Sequence, residues 1–459
     1  MANIREHNSW VHSMEKEEAT EKAKDLVRMA VAKAALLQPL QEVQLAVNSD
    51  ALVIGGGLAG MNAALNLAQQ GFTTHLVERD VALGGNARMI RSTAQGEDVA
   101  AYLEDLTGQI NSQENLTVHL GSTIKDVDGF VGNFKTTVAG DGNDAVIEHG
   151  VAIIAIGAAE YKPNEYLYGE HPKVMTHLEM DSAFMSGELD PKKVDSAVFI
   201  QCVGSREPDH PYCSKVCCTH SVESALHIKE HNPEAQVAIL YRDMRTFGER
   251  ELLYKEARAK GVLFIRYDVD NKPRVEADGD KLKVTVTDHV LGRDLLISAD
   301  VLGLASAIES HKAEDLAQMF KVPLDEDGWF LEAHQKLRPV DFATDGVFMC
   351  GLAHYPKPIE EAVAQAQAAV ARAVTVLSST EIWLSGTVAS IDQKKCVGCG
   401  VCWTVCPYQA INQDENGLAV VNEALCKGCG TCVASCRSGA PNLRGFTTQD
   451  VMAQIEALL

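Results

Sequence analysis

No stretch of this sequence approaches the ~18 consecutive apolar residues that a membrane-spanning helix requires. Its opening segment, residues 1–26, is polar and lacks the apolar core of a secretory leader. The two absences predict a cytoplasmic protein. Basic residues are also scarce: 41 Lys and Arg face 63 Asp and Glu, a net charge of −22. That balance excludes nucleic acid and anionic membrane surfaces as partners, because neutralising phosphates takes Lys and Arg. It suits docking to a basic protein partner, and a plain solubility surface accounts for it as well. At 459 residues, 46% hydrophobic and 23% charged, the chain is long and apolar enough for about three globular domains.

Thirteen cysteines without a leader point to metal rather than to disulfides. Eight lie between 396 and 436, four between 202 and 218, and one at 350. Cys396, Cys399, Cys402 and Cys406 recur 30 residues later as Cys426, Cys429, Cys432 and Cys436, an internal repeat of C-x2-C-x2-C-x3-C. Soft thiolates at this spacing suit 4Fe–4S clusters, and in two-cluster ferredoxins the fourth cysteine of each run serves the other cluster. One cluster is therefore expected on Cys396, Cys399, Cys402 and Cys436, and the other on Cys426, Cys429, Cys432 and Cys406. Gly398, Gly400, Gly428 and Gly430 let the backbone curl around them. Structural zinc is the competing reading, but its cysteine pairs are normally separated by longer loops. Pro407 follows the first run as in ferredoxins; Arg437 follows the second.

Gly55, Gly57 and Gly60 form G-x-G-x-x-G between an apolar strand, ALVI at 51–54, and a helix beginning near Met61. Such glycines permit a tight turn and bring pyrophosphate up to a helix N-terminus. Glu78 ends the next strand, where an acid binds a ribose hydroxyl of FAD or NAD. A Gly-rich turn in another α/β fold is the alternative. Gly84-Gly85 close behind Glu78, Ala155-Ile156-Gly157 at the end of a later strand, and the segment 344–351 ending in Cys350-Gly351 resemble the two-dinucleotide-domain flavoproteins such as thioredoxin reductase. FAD is thus favoured over NAD, with Arg79, Gly85, Asn86, Gly157 and Gly351 joining the fingerprint residues as its expected contacts. In that superfamily an Asp follows the last glycine and binds the ribityl chain; here Leu352 stands there. A second fingerprint, which a nicotinamide site would need, is missing. In its place the strand AVFIQCV runs into Gly204-Ser205-Arg206 and three more cysteines.

Cys202, Cys213, Cys217 and Cys218 lie within 17 residues, at a strand end and a helix start. They can surround a third 4Fe–4S cluster, helped by the helix dipole that favours thiolates. Buried thiols or a redox disulfide explain the spacing as well. Cys350 reads as a core thiol.

The stretches QCVGSR…YCSKVCCTHS, VGNFKTTV and LEAHQKLRPVDFATDGVFMCGLAH, with the doubled ferredoxin motif, resemble the A-subunits of heterodisulfide reductases and their bacterial homologues. The resemblance runs over nearly the whole chain from about residue 15. It implies a two-dinucleotide-binding-domain α/β flavoprotein with an α+β ferredoxin domain, acting as an oxidoreductase subunit within a complex. It implies FAD and three 4Fe–4S clusters, the third held by the cysteines at 202–218 close to the flavin. FAD in this family can split electron pairs between a high- and a low-potential acceptor. Implied partners are other heterodisulfide-reductase-like subunits and an electron-donating subunit of hydrogenase, formate dehydrogenase or NADH-linked type, in an assembly that can contain a homodimer.

Three departures matter. Family members often carry a further ferredoxin insertion and cysteines just after the Gly-Gly segment; this chain has neither. Methanogen members place a Lys five residues after the Cys-Cys pair, where Glu223 stands here; an acid there disfavours an anionic flavin. The chain also lacks the cysteine-rich repeats of the subunit that cleaves disulfides. No side chain is assigned as a catalytic acid or base, since the cofactors carry the chemistry. The alternatives are a self-contained NAD(P)H flavin oxidoreductase resembling the small subunit of glutamate synthase, and a non-catalytic electron-relay hub. The expected layout is a helical arm (1–48), an FAD domain in two parts (49–160 and 301–380), a second Rossmann-like domain (161–300), a linker near 379–386, the ferredoxin domain (387–445) and a terminal helix (446–459).

Overall fold

A computed structural model describes residues 1–40, 42–140, 144–384 and 386–459. The chain divides into two compact units, residues 48–379 and residues 1–47 with 380–459.

In the larger unit, β1 (Ala51–Ile54), β2 (Thr74–Val77), β3 (Leu116–His119) and β4 (Val151–Ile154) form the first parallel sheet. β5 (Val174–Thr176), β6 (Ser196–Val203), β7 (Gln236–Tyr241), β8 (Leu263–Arg266) and β9 (Val301–Ser306) form the second. β10 (Val347–Met349) returns to the first, whose order is β10-β4-β1-β2-β3. The second runs β5-β9-β6-β7-β8. β1, β4 and β6 are buried throughout, as their unbroken apolar runs require of strands covered on both faces.

Alternate residues of β1 and β4 serve two cores. Ala51, Val53, Val151 and Ile153 meet α1 (Leu58–Gln69) and a long helix, Ile359–Leu377. Its Ala366, Ala369 and Ala373, at helical spacing, face Met61, Ala64 and Leu67 across this core. Leu52, Ile54, Ala152 and Ile154 meet Phe134, Val138 and Ile147 from an antiparallel three-stranded sheet, 123–149. The second sheet is covered likewise. On one face, α2 (Cys217–His231) brings Val222, Ala225 and Ile228 against Phe199 and Ile239. On the other, Leu282, Val284 and Val286 of the sheet 274–299 meet Val198, Ile200 and Leu240. The helix Ile359–Leu377 is α3.

The boundary expected at residue 300 is misplaced. β9 pairs with β5 and β6 inside the second sheet, so that domain continues past 300. An apolar run such as VLGLAS reads alike for either sheet, and its pairing is settled by distant partners. Part of the expected linker, Glu381–Leu384, is a strand that pairs antiparallel with Val43–Ala46. The N-terminal helix Lys16–Ala34, expected as an arm on the main body or a partner, packs with the terminal helix Thr448–Glu456. Lys33 Nζ lies 3.6 Å from the Phe446 ring centroid. Within the same unit, Ala389–Ile391 pairs with Pro441–Leu443, and Ile411–Gln413 with Ala419–Val421.

His149 ends a strand of the 123–149 sheet and is fully buried. Its Nδ1–H donates to the Val151 carbonyl at 2.9 Å, and Nε2 accepts from the Thr136 hydroxyl at 2.8 Å. Both nitrogens are satisfied in the neutral ring, and burial pushes its pKa down to about 4. The unfolded chain binds this proton first, near pH ~6.5. Stability from this group is therefore complete above that pH. It falls by about 1.4 kcal/mol per pH unit towards pH ~4. Denaturant titrations of wild type and His149→Gln over that range should show a shallower acid-side loss in the variant.

Candidate functional site

A cavity of about 400 Å³ opens beside the ends of β1 and β4. Its base depends on backbone approach. Gly55 has φ +107°, and a Cβ there would lie 2.4 Å from the Ala155 carbonyl oxygen. A Cβ on Gly60 would lie 1.8 Å from the Gly55 carbonyl oxygen. Gly57 precedes the first turn of α1 and faces open space, so Gly57, Leu58 and Ala59 present the helix N-terminus to the cavity. Glu78 is buried; its carboxylate accepts from the Gly56 N–H at 2.5 Å and the Asp80 N–H at 2.8 Å.

Gly55, Gly57, Glu78, Arg79, Gly85, Asn86 and Gly157 all line this cavity. The Asn86 amide is held by the Ala158 carbonyl at 3.0 Å, and the Arg79 guanidinium lies 3.4 Å from His311 Nε2. Gly60 and Gly351 stand behind the lining. Gly60 sits against Gly55, and Gly351 (φ +70°) against Ala59, whose Cβ would be 2.7 Å from one placed on it. Leu352, in the position of the missing Asp, lines the wall.

Much of the remaining wall had no signature in the sequence. His177, Lys215, His220, Arg250 and Lys357 converge there from separate elements. Lys357 Nζ donates to the Gly351 and Tyr355 carbonyls, both at 2.6 Å, and burial lowers its pKa to about 8. Glu223, singled out by its spacing from the Cys-Cys pair, also faces the cavity.

Cys202, Cys213, Cys217 and Cys218 come together where β6 gives way to α2. Burial raises the Cys217 pKa well above the usual thiol value, and the nearby Cys218, Cys202 and Cys213 add to the rise. Cys202 at the end of β6, and Arg206 and Lys215 in the loop that follows, have φ of +59°, +57° and +66°, three non-glycine residues in the left-handed region. Strain of this kind persists where the surroundings impose it, and it is concentrated at functional sites. Arg242 holds the loop through the carbonyls of Cys202 at 3.2 Å and Arg206 at 3.0 Å, and through that of Ser205. Lys215 N–H reaches Cys213 Sγ at 3.3 Å. Cys217 belongs to this group and also lines the cavity. Cys350, by contrast, lies in the core beside α1 and α3.

In the ferredoxin-like unit the cysteines ring two small cavities. Cys396, Cys399, Cys402 and Cys436 line one; Cys406, Cys426, Cys429 and Cys432 line the other. The fourth cysteine of each run thus faces the first three of the other. Backbone amides point at sulfur: Ala419 at Cys396 (3.5 Å), Ala410 at Cys406 (3.4 Å) and Ala389 at Cys426 (3.4 Å). Among the described residues no three His, Cys, Asp or Glu side chains close on a single metal ion.

Residues 389–440 match the 4Fe-4S dicluster domain family, and residues 49–199 the pyridine nucleotide-disulphide oxidoreductase family. The A-subunit of the H(2):CoB-CoM heterodisulfide,ferredoxin reductase of Methanothermobacter marburgensis is 37% identical over all of this chain and 83% of its own length. The chain belongs to the heterodisulfide reductase A-subunit family. A Methanopyrus kandleri relative, the iron-sulfur A-subunit of a CoB–CoM heterodisulfide reductase, is 35% identical over 90% of this chain and 77% of its own. The Methanothermobacter alignment extends over 554 positions, so that relative carries residues inside the matched span that this member lacks. Membership makes the protein an oxidoreductase. Its fold is that of thioredoxin reductases from T. acidophilum and Lactococcus lactis. These are 16% and 19% identical, with TM-scores of 0.52 and 0.51, each covering 72% of this chain and 99% of its own. Among the described residues no helix is long and apolar enough to cross a membrane.

The crossed arrangement of the cysteines makes a specific prediction. Cys406→Ala should cost about four iron per chain and spare the cluster on Cys396, Cys399, Cys402 and Cys436. Iron analysis with electron paramagnetic resonance of the reduced protein distinguishes this from loss of the cluster within its own run.

Proposed function

We propose that this family member is an FAD- and iron–sulfur-containing electron-transfer subunit of a heterodisulfide-reductase-like complex in the cytoplasm. The observation that carries the reading is the position of Cys217, in a four-thiol group and in the wall of the glycine-based cavity at once. The cavity suits FAD. Its pyrophosphate would meet the amides at the start of α1, and the buried Glu78 would take ribose hydroxyls. Two buried polar atoms beside the cavity, Glu223 Oε1 and Arg91 Nε, have no protein partner. FAD, when bound, exchanges electron pairs on one side and single electrons on the other.

The chain's own part is to hold and orient these groups. Gly55 and Gly60 bring the strand ends against α1, and the strained loop at 202–218 would hold a 4Fe–4S cluster next to the flavin. Arg242 fixes that loop through its carbonyls. The two cavities of the ferredoxin-like unit would hold the remaining two clusters. Cys399 and Cys429 are exposed, which suits electron exchange with another protein of the complex. The net charge of −22 favours a basic docking face on that partner. Partner subunits of hydrogenase, formate dehydrogenase or NADH-linked type would supply electrons, and a second copy of this chain can take part in the assembly. Where the second dinucleotide fingerprint would lie, the four-thiol loop stands instead, and this favours a flavin reduced through clusters over one reduced by a nicotinamide. Bifurcation is the finer form of the reading. It requires that the assembly reduce a low-potential acceptor only while a high-potential acceptor is present.

The test is anaerobic purification with native partners, with iron, sulfide and flavin counted per chain. About twelve iron and one FAD are expected, at four iron per cluster. About eight iron would remove the cluster at 202–218, and absence of flavin would overturn the reading.

A further inference from the structure

Glu223 stands on α2 six residues beyond Cys217. Cys217, Thr219, His220 and Glu223 form the face of that helix that lines the cavity. Glu223 Oε1 is buried and accepts no hydrogen bond. No cation lies within ion-pair distance of its carboxyl among the described residues. The charged groups facing it from neighbouring elements are His220 on its own helix, Asp181 on the helix His177–Ser186, Arg91 before the helix Val99–Asn111, and Glu360 at the start of α3. Asp181 is already engaged by His220 at 3.0 Å and by the Arg91 N–H at 3.0 Å, and Glu360 by Arg250. The Glu223 carboxyl thus stands outside the ion pairs that tie these elements together.

We propose that Glu223 is the proton-relay residue of the cavity, passing its carboxyl proton to the bound flavin as electrons arrive and reloading from water. The proposal rests on the reading of this cavity as the FAD site. Two electrons, delivered singly by iron–sulfur clusters, and one proton convert FAD to FADH⁻. The O–H bond of Glu223 breaks, an N–H bond forms on the flavin, and the carboxylate left behind takes a proton from water. Burial, with smaller pushes from Asp181 and Glu360 and opposing pulls from His220 and Arg91, raises the Glu223 pKa to about 7. At pH ~7 about half of these carboxyls therefore carry a proton, whereas a carboxyl at its ordinary value would be almost wholly ionised. Negative charge on the reduced flavin favours the neutral acid further, so reloading follows reduction.

The experiment is a spectroelectrochemical titration of the flavin in the holoprotein, wild type and E223Q, between about pH 6 and about pH 8.5. In wild type, flavin reduction should take up about one extra proton per electron pair above pH ~7. In E223Q the uptake should show no such step, and flavin reduction in a single turnover should slow by about a hundredfold. A step that persists in E223Q, or is missing from wild type, overturns the proposal. Infrared difference spectra of wild type supply a second measurement that needs no variant. A protonated-carboxyl carbonyl band should be present at pH ~6, fade by pH ~8.5 and respond to flavin reduction; its absence would also overturn the proposal. Wild type isolated without flavin would count against the FAD reading itself, which separates the two failures.

Discussion

The constraint on which the flavoprotein unit depends is the contact between Gly60 and the carbonyl of Gly55. A methyl group would lie 1.8 Å from that oxygen, inside any van der Waals distance. Only because both positions are glycine can α1 start directly over the ends of β1 and β4. That start supplies the amides at the base of the cavity, and it fixes where the wall from α2 and α3 must close. The alanine face of α3 extends the same principle. Small side chains let two helices approach over one sheet, and the cavity opens at the end of that packed layer.

The second sheet repeats the architecture with different chemistry. Its central strand, β6, ends where a second nucleotide motif would begin, yet the strand end and the loop after it hold three left-handed non-glycine residues, with a buried arginine gripping the carbonyls there. The same secondary structure that presents amides to the cavity in the first sheet presents thiols in the second. Cys217 and Glu223 then lie on one helix face, so a member of the four-thiol group and a buried carboxyl border the same cavity.

Local spacing carried a large part of this. The first three cysteines of each tail run were legible from C-x2-C-x2-C alone, because those ligands lie within one or two turns; their crossing to the distant fourth cysteine of the other run was expected from the two-cluster ferredoxin pattern. The fingerprint at 55–60 and the acid at 78 were legible for the same reason: strand, turn, helix and strand are contiguous. Gly351, read as a contact, stands behind the cavity lining against Ala59, a placement that depends on which side of a wall a backbone faces.

The sequence by itself therefore determined the cysteine groups, the dinucleotide fingerprint and the alternation of strands and helices, since each rests on residues a few positions apart. Only the tertiary structure decided that β9 belongs to the second sheet, that residues 381–384 pair with the N-terminal segment 43–46, and that Lys357, His177 and Glu223 share a cavity. These depend on contacts between residues tens to hundreds of positions apart. An apolar strand fits either sheet equally well until its partners are in place, and the pKa of a lysine or glutamate shifts far only when folding removes its water.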